Sequence, residues 1–250
     1  MTADQYLRGL LQTYAVNASE AMAAGRMIYP VLKKWGNQYL NSATFSGSLA
    51  KGTGISISTD ADIFLSLSSV TPGTLSDIYS SLHQYVAAAG YTTRKQNVSI
   101  GVSVNGCSID LVPGRRQSQY GNDHSLYRSR AGTWTKTNVN THISYVKNSK
   151  RTEEIRILKL WRLRHELLMS SFYLELAVID SLHYARVGNV ADNVLRVLEH
   201  LRDNIESVRY IDPANSNNIV SDDYTRAEKA AIATQAGKSL REKTWQEIVW

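Results

Sequence analysis

Cysteine is almost absent from this chain: Cys107 is the single one in 250 residues, which excludes an intramolecular disulfide and any zinc cage built on cysteines. The six histidines are scattered without ligand spacing, so no structural metal is expected. Long hydrophobic runs are missing as well. The longest apolar stretch, residues 167–179, is interrupted by Ser170, Ser171 and Glu175, well short of the roughly 20 apolar residues a membrane span needs. The opening Met1-Thr2-Ala3-Asp4-Gln5-Tyr6 has no basic region followed by an apolar core, so no secretory leader is read there and the cytoplasm is the expected compartment. Internal repeats, low-complexity segments and Gly/Ser/Pro linkers are also lacking.

What is present is an ordinary globular composition, 43% apolar and 20% charged, enough for one large domain or two small lobes with real cores. A formal net charge of +6 favours phosphate-bearing partners, because a positive field concentrates polyanions, but charge speaks to association and not to chemistry.

Hydrophobic periodicity organises the chain. Residues 3–40 carry apolar positions near helical spacing (Tyr6, Leu7, Leu10, Leu11, then Ile28, Val31, Leu32), which predicts two helices with Pro30 as a kink point in the second. A short strand over 41–45 leads into the turn Ser46-Gly47-Ser48. Residues 62–70 alternate with period two, predicting a strand, and a helix over 75–89 follows. Strands over 94–104 and 107–112 flank Asn105-Gly106, a dipeptide that accepts the positive φ angles of a tight hairpin. Residues 114–137 read as polar and irregular, with room for one further short strand. Helices are predicted over 138–150, 152–169, 172–186, 190–208 and 223–236. The composition thus changes from mixed α and β to nearly all-α at about residue 137. An α+β fold in two parts is expected, residues 1–137 and 138–250.

Asp60 and Asp62 are separated by one residue, so on a strand their side chains point to one face. Two like charges held that close disfavour double ionisation unless a cation sits between them. Asp110 lies on the later strand, and adjacent strands run about 5 Å apart, near enough for a third carboxylate to join the pair. Three carboxylates suit two magnesium ions, with manganese as a substitute, at the roughly 4 Å separation that serves in-line phosphoryl or nucleotidyl transfer. On spacing alone the plainer reading, solvated acids at an edge or turn, is favoured. The upstream Ser46-Gly47-Ser48 turn shifts the balance: glycine lets backbone N–H groups approach a triphosphate, and serine offers a hydroxyl.

With the order of these motifs on the page, Phe45-Ser46-Gly47-Ser48-Leu49-Ala50-Lys51-Gly52-Thr53, Asp60-Ala61-Asp62 and Ser108-Ile109-Asp110-Leu111 resemble the Gly-Ser, Asp-x-Asp and third-Asp motifs of the DNA polymerase β-like nucleotidyltransferases. Among these, the chain is similar to the 2′-5′-oligoadenylate synthases, the bacterial cyclic-oligonucleotide synthases and the archaeal-type CCA-adding enzymes. The resemblance implies a polymerase β-like palm with a C-terminal helical lobe, catalytic and metal-holding roles for Asp60, Asp62 and Asp110, and triphosphate contacts from Gly47, Ser48, Lys51 and Thr53. It extends to Ile157-Leu158-Lys159-Leu160-Trp161, implying Lys159 on the phosphates, and to Ser170-Ser171-Phe172-Tyr173, implying Ser171 on the triphosphate and Phe172 stacked on the base. Phe172 stands where a tyrosine is common, which keeps stacking but removes a hydroxyl. The segment from Asp212-Pro213 to Asn217-Asn218 resembles the family's closing motif, and its plainer reading is a loop of turn formers. Cysteine clusters like those of the animal DNA sensor's zinc module are absent, which argues against activation by double-stranded nucleic acid.

The densest basic region has Arg156, Lys159 and Arg162 at i, i+3 spacing, and every member except Lys159 reads equally as part of a phosphate-binding face or of a solvated helix paired with Glu153 and Glu154. Tyr120, Tyr127 and Trp134 among Arg115, Arg116, Arg128 and Arg130 read as a single-strand groove or as packing. The implied activity is template-independent nucleotidyl transfer from nucleoside triphosphates into a short linear or cyclic oligonucleotide, a signal in antiphage defence read by an effector protein. The alternatives are a tailing or modifying enzyme acting on tRNA, protein or a small molecule, and a binder without turnover, against which the three retained carboxylates weigh.

Overall fold

The computed structural model describes residues 1–58 and 60–249, and the chain divides into two compact units. One comprises Asn17–Lys51 and Ser58–Ile143, the other Met1–Val16, Gly52–Ile57 and Ser144–Trp250. The first helix, α1 (Ala3–Thr13), belongs to the second unit. It is started by a capping box between Thr2 and Gln5, and it buries Leu7 and Leu11 among the C-terminal helices. These bounds differ from the division expected at residue 137. The break falls at Ile143, and two N-terminal pieces join the helical unit because their apolar side chains, Leu7, Leu11 and Ile55, are buried there.

In the sheet unit, α2 (Ala18–Gly36) runs through Pro30, which forgoes one backbone hydrogen bond. Then come β1 (Leu40–Phe45), the short helix α3 (Gly47–Lys51), β2 (Ala61–Leu67) and α4 (Leu75–Ala88), the last started by a Thr74–Asp77 capping box. Five more strands follow: β3 (Thr93–Lys95), β4 (Ile100–Val104), β5 (Cys107–Arg116), β6 (His124–Arg128) and β7 (Thr133–Thr137). The main sheet runs β1-β2-β5-β4-β3, with β2 and β5 parallel and every other pairing antiparallel. Strand β6 attaches to the end of β5, and β7 to β6. Between β4 and β5, Asn105 and Gly106 take φ of 49° and 80°, the tight turn expected of that dipeptide.

One face of the sheet carries Ala61, Ile63 and Leu65 of β2 with Ile109 and Leu111 of β5. All are buried against Ile28 and Leu32 of α2 and Tyr79, Leu82 and Val86 of α4. Alternation therefore turns Asp62 and Asp110 to the other face. The expected strand over 94–104 is broken at Gln96–Ser99, and the stretch expected to be irregular holds two full strands. Their registers depend on cross-strand partners that no local pattern announces.

The helical unit begins within α5 (Val139–Ser149) and continues through α6 (Thr152–Arg164), α7 (Ser171–Ser181) and α8 (Val190–Asn204). The hairpin β8 (Ile211–Asp212) and β9 (Asn215–Ile219) follows, then α9 (Arg226–Ser239) and α10 (Trp245–Ile248). Helices α6 and α7 are buried on nearly every side: Ile155, Ile157, Leu158, Leu160 and Trp161 in one, Tyr173, Leu174, Leu176, Ala177 and Val178 in the other. Their buried apolar side chains form the centre of this unit's core. Helix α6 stops sooner than the expected residue 169 because Glu166 adopts a left-handed φ of 51° and Ser170 caps α7 by accepting from the Tyr173 amide. Among the described residues no helix is long and apolar enough to cross a membrane.

Candidate functional site

The sheet unit brings Asp62 and Asp110 together by register. They are partners on the parallel pair β2/β5, so their side chains leave the same face of adjacent strands. Asp60 is exposed one residue before β2 begins. The turn after β1 closes onto this pair. The Ser46 amide donates to the Asp62 carbonyl at 2.8 Å. Gly47 takes a φ of 55°, and a Cβ there would lie 1.7 Å from Asp62 Oδ2, so only glycine admits the carboxylate. Ser48 follows as the second residue of α3, and Lys51, its last, is 9% exposed. A cavity of about 140 Å³ opens here, lined by Gly47, Lys51 and Asp62 on one side and Phe64, Val112 and His142 on another.

Asp110 is half-buried. Desolvation first, then the neighbouring Asp60 charge, raise its carboxyl above the ordinary carboxylate range, while hydrogen bonds from Gln96 and Ser99 oppose the rise. Gln96 Nε2 donates to Asp110 Oδ1 at 2.8 Å, and Ser99 Oγ lies 3.4 Å from Oδ2. Among the described residues no three Asp, Glu, His or Cys side chains are drawn together closely enough to form a metal cage as they stand. The spacing argument anticipated such a convergence. Two like charges do not approach unaided, and Asp110 is turned instead toward its amide and hydroxyl partners. The donor set nevertheless suits magnesium: hard carboxylate oxygens, two of them at one register position, with a repulsion between Asp60 and Asp110 that a divalent cation relieves.

The remaining candidates belong to the helical unit, where Lys159, Thr53 and Ser171 have internal partners. Lys159 is 2% exposed, and its Nζ donates to Thr53 Oγ1 and Thr53 O, both at 3.1 Å, and to Glu175 Oε1 at 3.2 Å. Thr53 Oγ1 donates to the same Glu175 oxygen at 2.9 Å. Lys159 and Thr53, expected on the triphosphate, have these internal partners: a lysine buried in a helix packed by apolar side chains needs a counter-charge, and Glu175 supplies it. Arg156 likewise turns inward, to the carbonyls of Leu11 and Gly54. Ser171 opens α7 and its Oγ accepts from Arg162 Nη1 at 3.3 Å, while Phe172 packs partly buried against the helical core. Asp212 acts within its hairpin, accepting from the Ala214 amide at 2.8 Å and from Asn218 Nδ2 at 3.1 Å.

Sequence reasoning missed Gln96, Ser99 and Glu175. Gln96 and Ser99 sat inside what reads as one continuous strand, and Glu175 inside an apolar helix. The unpatterned polar run Gln96-Asn97 was the available signal for the first two.

No family model matches the chain, and no curated protein matches it by sequence. Solved structures do. The CdnC of Escherichia coli MS115-1, determined with ATP, is 20% identical and superposes with a TM-score of 0.82 over 99% of this chain and 97% of that one. The CdnE cyclic dinucleotide synthase of Elizabethkingia meningoseptica, with GTP and Apcpp, is 15% identical with a TM-score of 0.75, covering 97% of this chain and 100% of the other. The CD-NTase CdnG of Bradyrhizobium diazoefficiens, with GTP, is 13% identical with a TM-score of 0.73 over 94% and 89%. The chain has the fold of these proteins, a mixed-sheet α+β unit and a helical unit.

Proposed function

We propose that this chain is a template-independent nucleotidyltransferase that joins nucleoside triphosphates, with two magnesium ions, into a short linear or cyclic oligonucleotide. Its product would serve as a signal to an effector protein in bacterial antiphage defence. The observation that carries the reading is the register pair Asp62–Asp110, with Gly47 seated against Asp62, on the fold shared with a CdnC determined with ATP and a cyclic dinucleotide synthase determined with GTP. The expected compartment is the cytoplasm, where the triphosphates are made.

Bound magnesium supplies charge neutralisation at the attacking hydroxyl, the α-phosphate and the departing pyrophosphate. Asp60 and Asp62 would hold the ions, and Asp110 would complete the site on the side of the attacking hydroxyl. A bond would form from that hydroxyl oxygen to the α-phosphorus as the bond to the β-phosphate oxygen breaks, with pyrophosphate leaving and the hydroxyl proton passing to solvent. Gly47 and Ser48 present the turn to the triphosphate, and Lys51, at the end of α3, offers a positive charge beside it. Ser171 and Phe172 are the helical unit's candidates for triphosphate and base. Positioning and charge compensation supply most of the rate.

Incubation with each labelled triphosphate and magnesium, with and without RNA, followed by mass spectrometry of the products, tests the reading. Short oligonucleotides formed without RNA are expected. Products appearing only on added RNA would make the chain a tailing enzyme and overturn the signal reading. Pyrophosphate release that survives Asp60→Ala with Asp62→Ala would overturn the site.

A further inference from the structure

The segment Gln96–Ser99 between β3 and β4 is fastened from several sides. Gln96 N donates to Ser99 O at 3.0 Å, closing the loop on itself. Tyr79 Oη of α4 donates to Gln96 O at 2.6 Å and lies 3.2 Å from Ser99 O. From the tip of the β6–β7 hairpin, Ser129 Oγ donates to Gln96 O at 2.7 Å and Ser129 N to Asn97 O at 2.7 Å. The Gln96 backbone is thereby held by three elements, and its side chain has one destination. Nε2 donates to Asp110 Oδ1 at 2.8 Å, while Oε1 accepts from Ser99 Oγ at 3.1 Å. That second bond sets which end of the amide is the donor.

Gly101, the register partner of Asp110 on β4, leaves room for this bridge. A Cβ at 101 would lie 2.9 Å from Gln96 Nε2 and 3.3 Å from Asp110 Oδ1, so any other residue would contest the space the amide occupies. The chemical type of the donor also matters. A lysine or arginine in this place would pair with Asp110 and compete with a cation for it, whereas an amide orients the carboxylate and leaves its charge in place.

We propose that Gln96 is the positioning residue of Asp110, fixing the carboxylate's rotation through Oδ1 and leaving Oδ2, 3.4 Å from Ser99 Oγ, as the oxygen offered to a cation. This rests on the reading of Asp110 as the third carboxylate. Gln96 touches neither substrate nor metal and acts through Asp110 alone.

The test is Mn2+ binding, followed by electron paramagnetic resonance, together with steady-state kinetics of pyrophosphate release at saturating magnesium. In Gln96→Leu the Mn2+ dissociation constant should rise roughly tenfold, the scale on which outer-shell partners of metal ligands act. The kcat should fall while KM for the triphosphate stays within about twofold, since the triphosphate contacts are untouched. On an Asp110→Asn background, Gln96→Leu should weaken Mn2+ binding no further. Gln96→Glu, nearly isosteric, replaces the donor by a repelling carboxylate and should do at least as much harm as Gln96→Leu; it is read in the same way if the leucine variant does not fold. Unchanged Mn2+ binding in both variants, or an equal loss with and without Asp110, would overturn the proposal. The functional reading fails separately: a wild-type chain that binds Mn2+ through Asp110 and Gln96 yet makes no product from any triphosphate leaves the positioning role intact and refutes the activity.

Discussion

Gly47 does at one position what no other residue does: it turns the chain at a left-handed φ and lets a carboxylate approach its Cα. Gly47→Ala would place a methyl group 1.7 Å from Asp62 Oδ2. Strain on the order of 1–3 kcal/mol is expected from the backbone conformation. Displacement of Asp62 by about 1 Å should cost pyrophosphate release on the order of a hundredfold, measured against the urea midpoint of the same variant. The buried pair Lys159–Glu175 makes a different forecast. A charge left alone inside the protein is expensive, so Lys159→Met should destabilise by about 3–5 kcal/mol, and adding Glu175→Leu should recover most of that loss. Chemical denaturation of the two variants decides. A lysine whose main partner is a triphosphate would instead show little stability change and no recovery.

Side-chain hydrogen bonds tie one element to another, and one such tie titrates. His124 of β6 has Nδ1 2.8 Å from Asn122 O, so that nitrogen carries the proton, and Nε2 accepts from Ser66 Oγ of β2 at 2.8 Å. Desolvation first holds its pKa below 6.5, with a hydrogen bond to Asn122 opposing. The sign follows. The unfolded chain takes up a proton near pH 6.5 and the native one only below that, so stability is complete above 6.5 and is lost as pH falls from there toward the lowered value. His165 and His200 share this direction, so the measurement is a difference: the stability of His124→Gln should fall less steeply between about pH 7 and 5 than that of the wild type. The same strand shows why residues 114–137 did not read as sheet. β6 and β7 carry Ser125, Tyr127, Arg128, Thr133 and Lys136 with few apolar alternations, and they become strands because β5 extends to offer them an edge at Arg115 and Arg116.

At the scale of the whole molecule, the chain twice sends residues from its N-terminal part into the helical unit: α1, and the segment Gly52–Ile57 that separates α3 from Asp60. Ile55 is 1% exposed in the helical core. Ile55→Ala should cost about 2–5 kcal/mol. Hydrogen exchange should show the loss first in 52–57 and the helices that bury it; protection unchanged there would mean that the segment is not held by its apolar side chain. The amino-acid sequence by itself determined the class of fold, most helices and the Asn105-Gly106 turn, and it put Asp60, Asp62, Asp110, Gly47 and Ser48 forward in an order that already meant something. The fold class, helices and turn follow from periodicity and local backbone chemistry, which lie within a few residues of chain, while the site residues stood out through the order of motifs that carries the resemblance. Only the tertiary structure decided that Asp62 and Asp110 share a register position, that Gln96 holds Asp110, and that Lys159 has its counter-charge in Glu175. Those depend on contacts between residues 14, 16 or 48 positions apart, where side-chain identity states a need for a partner but not which partner will meet it.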